Sequence, residues 1–356
     1  MKGAYLPGRE DKIRVLMLGP ARSVKGGVSA VVNTYYEAGL DKEVCLRYIS
    51  TMEDGSRLHK LFVAARALVE FLGCSREYDI VHVHMASDVS IYRKMLFIRL
   101  ARWQKKKVII HQHGGNIKEF YFHQCSMRER RRIKKTLEQA ERILVIAPYL
   151  KEIFEQIVDS DRIILLPNSV SLPDRVEKDY EGQKLLFLGR LCREKGIGEL
   201  LEACKALQEE FPRMELYLGG VWEDTALKHQ AEALGNRVHD LGWVGPGEKD
   251  RLLRECNILL LPSYFEGHPV ALLEGMAYGC ACIATDIGGV LQMLEPGVNG
   301  LTVPVGDAGA LLKAIKNCLQ DTGLQERMGM AAAKRIQKEY DIRQNMQTLI
   351  KLYRSV

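Results

Sequence analysis

Two acidic side chains, Glu266 and Glu274, are separated by seven residues in a stretch that otherwise carries few charges. Glu266 lies in a predicted loop just before Pro269, which suits the first position of a helix because its missing N–H needs no partner there. Gly279 suits the position just past a helix end. The spacing predicts a helix of about two to three turns between them, with Glu274 as its single charge.

That helix is expected to be buried on most sides, because its apolar residues cover nearly the whole circumference: Val270, Ala271, Leu272, Leu273, Met276 and Ala277. A buried carboxylate persists only when it is paired or hydrogen-bonded. Two partners for Glu274 are therefore open, an arginine elsewhere in the core or the hydroxyl groups of a ligand. The residues alone favour neither.

A basic loop, Gly189-Arg-Leu-Cys-Arg-Glu-Lys-Gly196, follows a predicted strand and contains Arg190, Arg193 and Lys195. Basic loops at the carboxyl ends of parallel strands are places where α/β sheets bind anionic ligands. Paired glycines, Gly26 and Gly27, precede another predicted helix near the start of the chain. Their backbone N–H groups could approach a phosphate at the helix N-terminus, although the residues alone favour a tight turn without a ligand.

Four histidines follow two predicted strands of the first half, and each strand carries two of them on one face: His82 and His84, then His111 and His113. A metal site is the sharper interpretation, but no carboxylate lies at ligand spacing beside them, so no metal is expected. The one Asp-x-Asp pattern, Asp159-Ser-Asp161, precedes a strand instead of following one. A turn or a helix cap is expected there.

Strand-like runs, among them Ile80 to Val83 and Ile258 to Leu261, alternate with helical segments along both halves of the 356 residues, which predicts α/β architecture with parallel sheets covered on both faces. The polar segment 168–180 is interpreted as a linker. The predicted domains are residues 1–170 and 171–335, both Rossmann-like α/β/α, with a C-terminal helix over 336–356 that belongs to the first. A single long amphipathic helix is expected from Ala331 to Tyr353.

Composition indicates a cytosolic protein with a charged first half. The nine cysteines, an odd number without a repeated C-x-x-C spacing, are expected to be reduced and mostly buried. No stretch approaches the roughly 20 apolar residues of a membrane span. Residues 1–180 carry 31 Lys and Arg against 22 Asp and Glu, a net charge of +9, whereas the remainder has a net charge of −3.

The basic residues of the first half form two clusters: Arg93, Lys94, Arg99, Arg102 and Lys105 to Lys107, then Arg128, Arg130 to Arg132, Lys134 and Lys135. Such clusters are often solvated helix faces. Attraction to an anionic membrane surface is the functional alternative. Nucleic acid is not expected as a partner, because no basic motif interleaved with aromatic residues accompanies the clusters.

Taken together, the two glutamates, the following Gly279 and the pair Gly288-Gly289 closely resemble the donor-site signature of the family 4 retaining glycosyltransferases. The basic loop and His113-Gly114 match further motifs in the same order along the chain. The resemblance implies the GT-B fold, with two Rossmann-like domains across a cleft and a last helix that crosses back to the first domain. One departure is Gln292, where the family usually has a glutamate, and His268 is also unusual.

The resemblance also implies roles for individual residues. Arg190 and Lys195 would hold the donor diphosphate together with Gly26 and Gly27, Glu266 would lie beside the donor sugar, and Glu274 would bind the nucleotide ribose. His113 would contact the transferring sugar. The remaining donor-side positions form one segment: Gly267, His268, Pro269 and Val270. His82, His84 and His111 receive no such role and are expected in the core or behind the site.

The implied function is metal-independent, retaining transfer of a sugar from a nucleotide diphosphate to a hydroxyl acceptor. By analogy with capsular and exopolysaccharide transferases, the acceptor would be a lipid-linked saccharide and the enzyme peripheral on the inner face of the cell membrane. No cofactor is expected. The alternatives are a nucleotide-sugar epimerase of the same fold, a phosphorylase, and a catalytically silent membrane-bound partner subunit.

Overall fold

The computed structural model describes residues 12–114 and 116–356. The chain divides into two compact units, one formed by residues 1–171 together with 342–356 and the other by residues 172–341. Each unit is built on a six-stranded, all-parallel sheet with helices between the strands. The predicted α/β fold class is therefore confirmed, and so is the return of the last helix to the first unit.

The first sheet has the order β2-β1-β3-β4-β5-β6. Its strands are β1 Arg14–Gly19, β2 Cys45–Ser50, β3 Ile80–Met85, β4 Lys107–Gln112, β5 Arg142–Val145 and β6 Ile163–Leu165. Its helices are α1 Gly27–Glu37, α2 Leu40–Glu43, α3 Arg57–Cys74, α4 Val89–Trp103, α5 Ile117–Glu119, α6 Met127–Leu137 and α7 Pro148–Glu155. The central strand β3 is buried along its whole length, as expected of a parallel strand covered on both faces.

The second sheet has the order β12-β11-β10-β7-β8-β9. Its strands are β7 Lys184–Leu188, β8 Glu215–Gly219, β9 Val238–Gly242, β10 Ile258–Leu261, β11 Ala281–Thr285 and β12 Leu301–Val303. Its helices are α8 Ile197–Leu207, α9 Thr225–Ala233, α10 Pro246–Glu255, α11 Val270–Ala277, α12 Ala308–Gln320 and α13 Thr322–Glu339. The last helix, α14 Ile342–Ser355, belongs to the first unit.

The prediction of one long helix from Ala331 to Tyr353 is wrong. The segment forms two helices, α13 and α14, that are interrupted at Tyr340 and Asp341. Contacts made by the interruption explain it: the Tyr340 hydroxyl donates to the carbonyl of Gln292 at 3.2 Å, while the N–H of Ile342 donates to the carbonyl of Val170 at 3.0 Å. The two helices therefore serve different units.

The cysteines behave as expected, because all nine are free and eight of them are buried. Lys94 does not fit the predicted solvated cluster. It is buried beneath α4, where its ammonium nitrogen contacts the hydroxyl of Thr51, and burial lowers its pKa well below the usual value. None of the described helices combines the length and the apolar character needed to cross a membrane.

Candidate functional site

The predicted donor-side residues of the second unit lie at one edge of its sheet. Strands β7, β10 and β11 are neighbours and run parallel, so their carboxyl ends meet at the same edge. The basic loop follows β7, the segment containing Glu266 follows β10, and Gly288-Gly289 follows β11. In open α/β sheets, ligands bind outside the carboxyl ends of the strands.

Lys195 and Glu266 form an ion pair at this edge. The Lys195 Nζ lies 2.5 Å from Glu266 Oε1, and the hydroxyl of Ser263 donates to the same oxygen at 2.8 Å. The two side chains are only 18% and 11% exposed. When a ligand binds, the lysine can leave the glutamate for an anionic group, and the glutamate can then bind a hydroxyl group.

Glycine backbones bring the loops that carry this pair into direct contact. Gly196, with φ +69°, ends the turn of Lys195, and a Cβ there would lie 2.0 Å from the carbonyl oxygen of Pro262. Gly289 is similarly constrained, because a Cβ would lie 1.9 Å from the carbonyl oxygen of Gly267. The three loops thus touch through their main chains, which fixes where the side chains of Lys195 and Glu266 stand.

Arg190 and Arg193 extend from the same basic loop towards solvent. Arg190 pairs with Glu223 at 2.8 Å, and Arg193 pairs with Asp224 at 2.8 Å. Both arginine side chains are largely exposed, and exposed ion pairs of this kind contribute little to stability. The guanidinium of Arg190 can therefore leave Glu223 for a stronger anion at low cost.

Glu274 lies on α11, where it forms an ion pair with Lys249 of α10. Pro269 occupies the N-cap position, one residue earlier than predicted, and Gly279, with φ +72°, follows the helix end as expected. The helix is buried on most sides as expected, and the Glu274 side chain is itself 19% exposed. Its protein partner is a partly exposed lysine of a neighbouring helix instead of a core arginine.

The other predicted donor-side positions divide into inward and outward residues. His268 is 4% exposed, and burial lowers its pKa to about 3, so it is a neutral side chain packed near the ring of Tyr340 at 5.4 Å. Pro269 is buried too, whereas Gly267 and Val270 keep accessible surface. Gln292 offers its backbone carbonyl to Arg335 and Tyr340, and its side-chain Oε1 has no hydrogen-bond partner among the residues that the structure describes.

In the first unit, the paired glycines stand at the start of α1. Gly26 is the N-cap and Gly27 the first helical residue, and no side chain caps this helix. A Cβ at either position would meet no atom within 4 Å. Packing therefore does not require glycine at either position, and the exposed, uncapped start of the helix leaves room for an anion.

The four histidines form one cluster beside the carboxyl ends of β3 and β4. His84 Nδ1 lies 2.8 Å from His113 Nε2. The two ring centroids are 5.1 Å apart and the ring planes are 22° from parallel, which is consistent with a hydrogen bond between the ring edges. His82 Nδ1 contacts the hydroxyl of Tyr353 on α14 at 2.5 Å. Burial lowers the pKa of His82 and His113 to about 3 and depresses those of His84 and His111, so all four rings are neutral.

Three of these histidines lie close enough together to be a candidate metal site. The ligand nitrogens of His82, His84 and His111 lie within 4.8 Å of one another. A ring nitrogen binds a metal in the plane of its ring, yet these three ring planes are only 13° to 30° from parallel. Near-parallel rings do not converge on one ion, so this arrangement suits a packed core better than a metal. Asp159 and Asp161, the other metal candidates, lie at a short 3₁₀ turn.

Sequence reasoning missed three participants: Lys249, Ser263 and Tyr353. Each lies on an element distant in sequence from the residue it contacts, or bonds to it through a loop without a recognisable motif. Ser263 was the easiest of the three to predict from the sequence, because it lies three residues before Glu266, just after β10. No local spacing pairs Lys249 with Glu274.

The chain is similar in sequence to known proteins. It is 27% identical over 232 residues to a phosphatidyl-myo-inositol mannosyltransferase of Mycolicibacterium smegmatis, and the matched region is 60% of each protein. It is 30% identical over 171 residues to the amylovoran biosynthesis glycosyltransferase AmsK of Erwinia amylovora, covering 46% of this chain and 42% of AmsK. The chain thus matches about two fifths to three fifths of the length of these relatives.

Among solved structures, Alr3699/HepE of Anabaena in complex with UDP and glucose superposes with a TM-score of 0.78 over 97% of this chain and 100% of that protein, at 16% identity. A family model described as Glycosyltransferase Family 4 matches residues 9–173, and one described as Glycosyl transferases group 1 matches residues 172–335. The two models together account for residues 9–335, so the chain consists of a Glycosyltransferase Family 4 domain followed by a Glycosyl transferases group 1 domain, and its fold is GT-B.

Proposed function

We propose that this protein transfers a sugar from a nucleotide diphosphate donor to a hydroxyl group of a lipid-linked saccharide, with retention of configuration and without a metal ion. The observation that carries the proposal is the enclosed pair of Lys195 and Glu266 at the carboxyl edge of the second sheet. This edge offers a cation for a diphosphate and a carboxylate for sugar hydroxyls within one hydrogen bond of each other.

The ion pairs at this edge define how a donor would bind. The diphosphate would take Lys195 from Glu266 and Arg190 from Glu223, after which the freed Glu266 carboxylate would accept hydrogen bonds from the sugar. Glu274 would likewise exchange Lys249 for the ribose hydroxyls. Each exchange replaces one charge-assisted contact by another, so donor binding would not leave a buried charge unpaired.

Chemistry would follow from the same groups. As the bond from the anomeric carbon to the diphosphate breaks, negative charge grows on the leaving phosphate, and each well-placed cation stabilises that charge by roughly 3–4 kcal/mol. The acceptor hydroxyl would attack from the face that the phosphate leaves, and a phosphate oxygen would take its proton. His113, held in the neutral form, would donate an N–H to the sugar.

Names of the relatives support the acceptor class. One relative is named for mannosyl transfer to a phosphatidyl-inositol and another for synthesis of amylovoran. The bound UDP and glucose in the superposed structure support a nucleotide-linked donor. For the present chain, donor, acceptor and membrane association are all proposals.

Membrane docking is supported by an exposed basic stripe on α6: Arg128, Arg131, Arg132 and Lys135. Their side chains have no ion-pair partner among the described residues. Two other members of the predicted cluster are structural, since Arg130 donates to the carbonyls of Cys125 and Phe122 and Lys134 lies 3.8 Å from Glu138. About 1 kcal/mol per basic residue near an anionic surface gives the stripe roughly 4 kcal/mol.

The transferase proposal is tested in two steps. Nucleotide sugars are first screened by thermal shift, where a ligand at 100 times its Kd stabilises by about 2.7 kcal/mol. The best donor is then incubated with lipid-linked saccharides, and NMR determines the anomeric configuration of the product. Transfer with retention supports the proposal. Inversion, conversion of the donor without an acceptor, or binding without turnover on any acceptor would overturn it.

The α6 stripe is tested by changing its four residues to Gln and measuring cosedimentation with vesicles of phosphatidylcholine and phosphatidylglycerol. We expect at least a hundredfold weaker binding at low salt. The matched control neutralises four exposed cations of the second unit, Arg213, Lys313, Lys334 and Lys338, and should bind as the wild type does. Equal losses in the two variants would reduce the effect to net charge.

A further inference from the structure

Helix α3 exposes an unusual amount of apolar surface. Five large hydrophobic side chains on it are between 46% and 80% exposed, and we call them the α3 stripe: Leu58, Leu61, Phe62, Val69 and Leu72. At 3.6 residues per turn they lie within an arc of about 100°. The opposite side of the helix is the one that packs on the sheet, through Val63, Ala67, Phe71 and Cys74.

A helix on the surface of a soluble protein normally presents charged and polar residues outwards. The outer side of α3 is apolar, and its inner side is apolar too except for Lys60 in the first turn. The other charged residues lie on the flanks between the two sides. Contiguous exposed apolar surface of this kind marks a place where a partner or a membrane binds. The stripe therefore requires an occupant.

Cations flank the stripe. Arg57 is exposed on one side of it and makes no ion pair with any described residue, while Arg66 on the other side pairs with Glu53. α3 carries three cations, Arg57, Lys60 and Arg66, against the single acid Glu70, so packing two copies of this helix face to face would bring like net charges together. An anionic bilayer is complementary to the whole surface, its headgroups to the cations and its acyl chains to the apolar residues.

The α3 stripe and the basic stripe of α6 belong to one layer of helices. Phe71 of α3 packs edge-on against Phe97 of α4 at 5.5 Å, and Tyr92 of α4 donates to Glu129 of α6 at 2.8 Å. All three helices cover the same face of the first sheet, because the chain moves in one direction through β2, β3, β4 and β5 with right-handed connections. Both stripes therefore point away from the sheet on the same side.

We propose that the α3 stripe enters the boundary between headgroups and acyl chains of an anionic bilayer, with α3 parallel to the membrane plane. This rests on the membrane docking proposed above and names the element that leaves water. α3 begins just after the carboxyl end of β2, so the stripe residues of its first two turns, Leu58, Leu61 and Phe62, lie at the sheet edge that also carries His113. Membrane insertion here brings that edge to the headgroup level, where a lipid-linked acceptor carries its sugar.

The test uses the full-length variant with Leu58→Gln, Leu61→Gln and Phe62→Gln, because Gln preserves helix propensity and the three positions are exposed. Each apolar side chain that leaves water strengthens membrane partitioning by about tenfold. We therefore expect the partition coefficient on anionic vesicles to fall at least a hundredfold. The binding that survives high salt should disappear, since apolar insertion is not screened, while a weak salt-dependent part contributed by α6 remains.

The matched control is Met330→Gln, a similarly exposed residue of α13 in the second unit, which should leave vesicle binding unchanged. In a variant whose native Trp103, Trp222 and Trp243 are changed to Phe, the single tryptophan introduced by Phe62→Trp should be quenched by lipids brominated in their acyl chains. Undiminished salt-resistant binding of the triple variant, or no quenching at position 62, would overturn the proposal. So would a dimer of the wild type in lipid-free sedimentation that the triple variant abolishes, because a second copy would then occupy the stripe.

These results are separable from the transferase proposal. Thermal shift with nucleotide sugars and transfer to a water-soluble acceptor should be the same in the triple variant and in the wild type, because none of the three substituted residues is a donor-side residue. Loss of vesicle binding with soluble transfer intact supports the α3 stripe. Intact vesicle insertion without any transferase activity would overturn the proposed function and would still support membrane insertion of the α3 stripe.

Discussion

The pair of Lys195 and Glu266 yields a prediction whose sign is opposite for its two members. If a diphosphate must take Lys195 away from Glu266, removing the carboxylate should make the lysine more available. Glu266→Gln should then bind a free nucleoside diphosphate more tightly than the wild type, although it loses transfer. Lys195→Met should bind it more weakly.

The magnitude follows from the exposure of the pair. Side chains that are 18% and 11% exposed lie between the surface case, worth up to about 1 kcal/mol, and a fully buried pair, which is worth more. An interaction of about 1–2 kcal/mol that no longer has to be broken corresponds to roughly 5- to 30-fold tighter binding. The Ser263 hydroxyl, which donates to Glu266 in the wild type, can still hydrogen-bond to the amide introduced by Glu266→Gln and should compensate for part of the lost interaction.

Isothermal titration with the nucleoside diphosphate that gives the largest thermal shift measures this directly. Glu266→Gln should also lose the affinity advantage of the complete nucleotide sugar over the nucleoside diphosphate, because the carboxylate no longer meets the sugar hydroxyls. Ser263→Ala is the control that disturbs the same oxygen without removing charge. Weakening of diphosphate binding by Glu266→Gln to the same degree as by Lys195→Met would refute the exchange.

Three further outcomes are expected. Glu274→Gln should weaken nucleotide binding while Lys249→Met, which frees the same carboxylate, should not; equal loss of melting temperature with unchanged affinity in both would make the pair purely structural. Excess EDTA should leave transfer intact, and loss of activity that Mn²⁺ or Mg²⁺ restores would show that Arg190 and Lys195 do not carry the diphosphate charge alone. His82 and His113 have a pKa of about 3 in the folded protein and near 6.5 in the unfolded chain, so between these values the unfolded chain binds more protons. The free energy of unfolding should therefore fall from pH 6.5 towards pH 3, by up to about 2.7 kcal/mol per pH unit from these two residues. Urea titrations measure this slope, which His82→Asn should reduce.

Much of the fold was predictable because hydrophobic runs of strand length are local signals. The run 258–261 was predicted and found with the same bounds as β10. β3, in contrast, continues two residues beyond the predicted Val83, because His84 is a polar residue in a buried strand, where it pairs with His111 of β4 and contacts His113 just after β4. The break at Tyr340 had no glycine or proline to announce it, since tertiary contacts produce it.

The candidate site followed the same division. Loop motifs at strand ends placed Lys195, Glu266 and Gly289 at one edge, because parallel topology alone brings successive carboxyl ends together. What the sequence could not supply were pairings across elements. The partner of Glu274 is 25 residues away on another helix, and Lys94 lies buried although its neighbours in sequence are basic and partly exposed.

The hydrogen bond between Ile342 and Val170 also bears on how such a chain can be recombined. The chain leaves the first unit after residue 171 and re-enters it at residue 342, and this bond, 3.0 Å long, holds the exit and the re-entry side by side. The second unit is thus an insertion whose two ends are neighbours, so a replacement needs to match one paired junction instead of two distant ones. Because the proposed donor-side ion pairs lie in the second unit, a replacement for residues 172–341 from a relative with another donor is expected to leave the first unit intact and to change the nucleotide sugar that is used.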